Sequence, residues 1–243
     1  MESQDKILRA GIKELLVSEK FSDVTVLCGA DKYKLHKAIM CTQVPFFASA
    51  IRFKKEGKDA IIELHGEDPL AVAAVVDFVY KSDYKPLMLE DGEDHRWKFD
   101  HAACQHHEVV CDPDTCLFEC STCSKLVWGK PEEMSLHINV YQLADMYQIS
   151  NLKQLAFRNF QNTASDFWDT KEFVEAVHSV GRSDHDELKE VIIATVLEHL
   201  ELLEKEDFAL VLEEYSALSM RILKRCAKEL THKRNGATWD MWS

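Results

Sequence analysis

The chain has 243 residues, enough for one large or two small domains with cores of their own. Hydrophobic residues make up 46% and charged residues 29%, which argues against bulk disorder, and the longest apolar runs, Leu70–Val76 and Val191–Leu197, are too short to cross a bilayer. A formal net charge of -13 lacks the basic footprint that nucleic acid or an anionic membrane surface demands.

The N-terminus carries scattered charges and no small-residue cleavage site, so it reads as neither a signal peptide nor an anchor. The expected location is intracellular, cytoplasmic or nuclear, where the eight cysteines stay reduced. Asp5 to Ser18 reads as an amphipathic helix, because Ile7, Leu8, Ile12, Leu15 and Leu16 recur at helical spacing. Val24, Val26 and Cys28 then alternate with Thr25 and Leu27, the period of a half-buried strand. Gly29 to Lys32 supplies a turn, and Tyr33 and Leu35 form the inward side of a returning strand. His36 to Val44 reads as a short helix stopped by Pro45, which itself opens the next helix with Phe46, Phe47, Ile51 and Phe53. After a polar loop from Lys54 to Lys58, Ala60 to Leu64 forms a third strand. Asp68-Pro69 starts a helix whose Val72, Val75, Val76 and Val79 make one buried stripe.

After Tyr84 the pattern breaks, and periodicity returns only with Leu136, Val140, Leu143, Ala144 and Tyr147. A further helix, capped by Ser150, carries Leu152, Leu155, Ala156 and Phe160. The rest is helical. Its stripes are Phe173, Val174, Val177 and Val180; Leu188, Val191, Ile192 and Val196; Phe208, Val211, Leu212 and Tyr215; and Leu218, Ile222, Leu223, Ala227 and Leu230. Cys28, Cys41 and Cys226 sit in apolar patterns and are expected to be buried thiols. The acids at Glu90 to Asp94 and from Glu198 to Glu214 read as a solvated loop and solvated helix faces, with a docking surface for a basic partner as the functional alternative. The tail from Thr231 is expected to be loose, with Trp239 and Trp242 packing back or forming a short recognition motif.

The run FSDVTVLCGADKYKLHKAIMCTQVPFFASAI resembles the opening of BTB/POZ domains, through Phe21-Ser22-Asp23-Val24, the hairpin, Leu35-His36-Lys37 and the proline-aromatic helix start. The run VYQLADMYQISNLK resembles the paired helices that close the same domain, through Leu143-Ala144-Asp145-Met146-Tyr147 and Leu152. The overall style is similar to BTB proteins of filamentous fungi. The resemblance implies an α+β chain: a small sheet with helical hairpins in residues 1–84 and 135–163, a Cys/His-rich insertion at 85–134, a BACK-like helical extension at 164–231 and a tail at 232–243. It implies a protein–protein interaction module, not an enzyme, that forms a homodimer through the N-terminal helix, with Ile12 and Leu15 as contact residues. It also implies a possible substrate adaptor for a cullin ubiquitin ligase, docking through Phe53 to Glu56. The family's pattern there is an apolar residue, any residue, then an acid; an extra lysine stands where the acid should fall, which argues against cullin binding. Asp23 and His36 read as fold support, since a buried Asp and His need hydrogen-bond partners.

Chemistry-bearing motifs are few. Ser183-Asp184-His185-Asp186 has triad residue types, but in a row, and the capping reading is preferred: Asp184 before a helix with Glu187 three residues on. Cys120-x-x-Cys123 resembles a zinc knuckle, with Cys104-x-x-His107 upstream and a hairpin between them. Folding that hairpin brings His107 opposite Cys120 and suits a tetrahedral, structural zinc site. Cys111 and Cys116 could replace the upstream pair, and His106 competes with His107. The alternative from another class, a zinc-dependent enzyme, would need an open coordination position, and nothing in the sequence argues for one.

Overall fold

A computed structural model describes residues 2–53, 60–84 and 130–237. The described residues of Met1–Glu90 and Leu136–Asn159 form one compact unit, and those of Asp91–Ser135 and Phe160–Ser243 form a second.

The first unit is built on a three-stranded sheet of order β2-β1-β3, with β1 at Val24–Cys28, β2 at Asp31–Leu35 and β3 at Ala60–Leu64. The alternation in β1 buries Val24, Val26 and Cys28. β2 returns antiparallel with Val24 opposite Leu35 and Cys28 opposite Asp31, so the turn is tighter than expected: only Gly29 and Ala30 lie outside the ladder. Gly29 has φ +57, a conformation that costs glycine little. β3 pairs parallel to β1, Val26 opposite Ile62, and a parallel pair requires a crossover. Helices α2 (Lys37–Gln43) and α3 (Pro45–Phe53) lie within it.

Three more helices complete this unit: α1 (Glu2–Ser18), α4 (Pro69–Lys81) and α5 (Glu133–Met146) from Leu136 onward, with the first part of α6 (Ser150–Asp166). The start of α4 follows from its sequence. The Asp68 carboxylate accepts from the Leu70 N–H at 3.1 Å and Pro69 takes the first helical position. Ser150 is the first residue of α6, one position further in than a cap. Tyr147, just past α5, stacks on Phe46 (4.2 Å between centroids, 6° between planes) and meets Phe47 edge-on at 5.6 Å. Edge and offset contacts of this kind are favoured by the ring quadrupole.

The second unit is helical: the end of α6, then α7 (Lys171–Arg182), α8 (Asp186–Glu198), a 3-10 turn (Leu200–Glu204), α9 (Glu206–Glu214) and α10 (Ser216–Ala237). Phe173, Ala176, Val177 and Val180 of α7 are buried with Leu188, Ile192 and Val196 of α8 and with Phe208 and Val211 of α9. Thr170 caps α7 by accepting from the Phe173 N–H.

Four sequence expectations change. α8 begins after His185, not after Asp184, and His185 makes no side-chain cap; Asp186 and Glu187 instead place negative charge in its first turn. Residues Thr231–Ala237 are helical, because α10 runs on without a breaker until Gly236. Of the last predicted stripe only Leu218 and Ile222 are buried, while Leu223, Ala227 and Leu230 are exposed. Cys28 is buried, but Cys41 and Cys226 are only partly so.

Candidate interaction surface

The apolar stripe of α1 has one covered end. Leu8, Ile12, Leu15 and Leu16 fall at i, i+4, i+7 and i+8, one face of a helix. α1 packs against α4, and Ile12, Leu15 and Leu16 are half-buried. Leu8, on the same stripe, is 64% exposed. Ile7 and Val17 are exposed on other flanks of the helix. Among the described residues, the N-terminal part of the stripe is therefore an uncovered apolar surface.

Phe21 stands three residues beyond α1 and is 86% exposed. Its φ of +62 is unfavourable for a bulky residue, and Glu19 at φ +52 shares the condition. Such conformations cost on the order of 1–3 kcal/mol each and persist where neighbours over-determine them. Those neighbours are present. The Lys34 ammonium meets Glu19 at 2.7 Å, His36 Nε2 lies 2.7 Å from the Lys20 carbonyl, and the Asp23 N–H donates to Leu35 O at 3.0 Å.

Asp23 and His36 are the fold-supporting pair that the sequence suggested. Asp23 Oδ1 accepts from the Lys37 N–H at 2.7 Å, serving as the N-terminal cap that His36, at the cap position of α2, does not supply from its own side chain. The Tyr80 hydroxyl accepts from the His36 backbone N–H at 2.9 Å and lies 2.8 Å from Nδ1. The assignment that satisfies every group has Tyr80 donating to Nδ1 and Nε2–H donating to Lys20 O. Burial pushes the Tyr80 hydroxyl up to about 12.

The triad-type residues between α7 and α8 are structural. The Ser183 hydroxyl donates to Val180 O at 2.9 Å and accepts from the His185 N–H at 3.4 Å, while Asp186 pairs with Arg221.

Residues 12–93 match the family model of the BTB/POZ domain. The chain contains a BTB/POZ domain. That domain is a protein–protein interaction module, and the match spans α1 from Ile12 onward, the whole sheet and α2 to α4. The resemblance of residues 135–163 to the closing helices lies beyond the match, though Leu136–Asn159 belongs to the same compact unit. Two solved structures are similar to the chain. The BTB domain of zebrafish PATZ1 has a TM-score of 0.40 and 13% identity, covering 66% of this chain and 94% of that one. The BTB domain of human Gigaxonin has a TM-score of 0.37 and 14% identity, covering 62% and 88%. No curated protein matches the chain.

The structure places the predicted contact residues Ile12 and Leu15 on the BTB domain's α1, half-buried toward α4. Leu8, whose exposure the sequence pattern could not show, extends the same stripe. Phe53 ends α3, but its side chain and Glu56 lie outside the described residues. So do Cys104, His106, His107, Cys111, Cys116, Cys120 and Cys123, and Trp239 and Trp242. Among the described residues no group of His, Cys, Asp and Glu could hold a metal ion, and no helix is long and apolar enough to cross a membrane.

Proposed function

We propose that this chain self-associates through the N-terminal helix of its BTB/POZ domain and, as a dimer, recruits partner proteins. The observation that carries this reading is the stripe of α1, half-buried against α4 from Ile12 onward and open at Leu8. A second copy laid along that overhang would remove Leu8 from water, and burying one such side chain is worth about 1.5–3 kcal/mol. Exposed Ile7, beside Leu8, and Phe21 held outward by its turn supply further apolar contact. No catalytic step enters the reading.

The cullin-adaptor alternative rests on Phe53 to Glu56, where the extra lysine displaces the acid that the docking pattern requires. Weak or absent cullin binding is expected from the natural sequence, with a gain on deletion of Lys55.

Light scattering on the purified full chain tests self-association. In half-molar salt, which screens charged contacts and leaves apolar ones, a dimer is expected at tens of micromolar, and Leu8→Glu should shift it to monomer with an unchanged melting temperature, because Leu8 is exposed. Ile12→Glu and Leu15→Glu should instead lower the melting temperature, since they strike the α1–α4 packing. A wild-type monomer at high micromolar concentration would overturn the reading.

A further inference from the structure

α10 carries two apolar stripes, and among the described residues only one is covered. Leu218 and Ile222 are buried in the helical unit. Met220, Leu223, Ala227 and Leu230 recur at i, i+3, i+7 and i+10, about 140° round the helix from the buried pair at 3.6 residues per turn. They face water, Leu223 at 60% and Leu230 at 68% exposure. The helix is also the basic element of an acidic chain: Arg221, Lys224, Arg225, Lys228, Lys233 and Arg234 stand against the single acid Glu229. Arg221 is engaged by Asp186 and Glu190 on α8, whereas Lys224 and Lys228 are exposed beside the stripe.

The segment just before α10 has the inverse character. From Leu200 to Glu214 the acids are Glu201, Glu204, Glu206, Asp207, Glu213 and Glu214, against the single base Lys205. Lys205 is held by Asp169 and lies over the Trp168 ring. Leu202, Phe208 and Val211 are buried, while Leu200, Leu203 and Leu210 are exposed among the acids. Glu206 and Glu213 flank Leu210 at i−4 and i+3.

We propose that a second copy of this chain occupies the exposed face of α10, with α10 of each copy lying on the acidic segment Leu200–Glu214 of the other. Charge decides the pairing. α10 against α10 would bring exposed Lys224 and Lys228 against the same bases of the other copy, and like charges in close register are unfavourable. α10 against Leu200–Glu214 sets base against acid and exposed leucine against exposed leucine, and a twofold arrangement makes the contact twice. This surface lies wholly in the helical unit and shares no residue with the proposed contact through α1.

The test uses the full chain in sedimentation velocity, both wild-type and with Leu8→Glu, so that failure of the α1 contact cannot mask the result. In the Leu8→Glu background a concentration-dependent dimer is expected, weakened at least about tenfold in Kd by half-molar salt, because the contact is strongly charged. Leu223→Glu with Leu230→Glu should abolish it. Lys224→Glu with Lys228→Glu, and separately Glu206→Lys with Glu213→Lys, should each give monomers that melt as the parent does. Mixing those two reversed variants should restore a dimer, since each face then meets its opposite. A monomer in the Leu8→Glu background, or reversed variants that dimerise like the parent, would overturn the proposal and leave α10 to an acidic partner protein or to another part of the chain.

Discussion

The ring of Tyr215 lies against Gly181. A Cβ added at Gly181 would fall 2.7 Å from Tyr215 Cγ and 2.8 Å from both Cδ atoms, far inside contact distance. The ring has little freedom to retreat. Its hydroxyl accepts from Arg182 Nε at 3.1 Å, donates to Glu214 at 2.8 Å and lies 3.3 Å from His178 Nδ1. Gly181→Ala is therefore expected to destabilise the helical unit. Overpacking costs about 1–3 kcal/mol, set against a helix-propensity gain of at most about 1 kcal/mol. Urea unfolding should show a lower midpoint at unchanged slope. In a Tyr215→Ala background the same substitution should be neutral or stabilising, and equal effects in both backgrounds would refute the steric account.

Tyr80→Phe should weaken the BTB/POZ unit disproportionately to the loss of one oxygen. It leaves both the His36 backbone N–H and Nδ1 without the hydroxyl that serves them in a buried site. Orphaned buried polar groups cost about 1–3 kcal/mol each, so a loss of at least about 2 kcal/mol is expected. Hydrogen exchange should quicken at the turn of Lys20 to Asp23, because His36 also fixes that turn through Lys20 O. A loss under about 0.5 kcal/mol would mean that water serves in place of the hydroxyl.

Cys120, Cys123, Cys104 and His107, with Cys111, Cys116 and His106 as alternates, are proposed to bind one structural zinc ion on the strength of spacing alone. Elemental analysis of chain purified without chelator should find about one zinc per chain, since four such ligands bind tightly at neutral pH. Cys120→Ser or Cys123→Ser should release it while leaving the main thermal transition in place. Absence of zinc, with the clustered thiols freely reactive, would remove the site.

What could be read from sequence was what is local. Asp68-Pro69 announces α4 because cap and first turn are adjacent residues, and Val24, Val26 and Cys28 announce β1 because alternation needs no partner. The BTB/POZ domain was legible through Phe21–Val24 and Leu35–Lys37, and the matched family model at 12–93 agrees. Features that depend on distant partners were not legible. Asp23 caps a helix that begins fourteen residues later, and Gly181 meets a tyrosine beyond two further helices. Periodicity marks an apolar stripe without saying whether anything covers it. Leu218 and Ile222 are buried, Leu223 and Leu230 are not, and the pattern alone does not separate them. Leu8 and Ile12 differ in the same way: they share a stripe, yet Leu8 is exposed and Ile12 is half-buried, which the spacing of apolar residues does not foretell.

The buried His137 should make the BTB/POZ unit sensitive to mild acid. Nδ1 lies 2.9 Å from the Tyr84 hydroxyl, and burial lowers the imidazole from its ordinary 6.5 to about 4. In the unfolded chain the ring protonates near 6.5, so between those values the unfolded state binds more protons than the folded one. Stability then rises with pH across this window. The contribution is complete above about pH 6.5 and is lost progressively as the pH falls to about 4. Each pH unit of difference corresponds to about 1.4 kcal/mol, so the whole loss is on the order of 3 kcal/mol. His137→Gln keeps a polar partner for Tyr84 but cannot take up the proton. Its unfolding free energy should fall less steeply than wild type between pH 6.5 and 4, while the two curves run parallel above pH 7. Parallel curves throughout would show that His137 is protonated in the folded chain as readily as in the unfolded one.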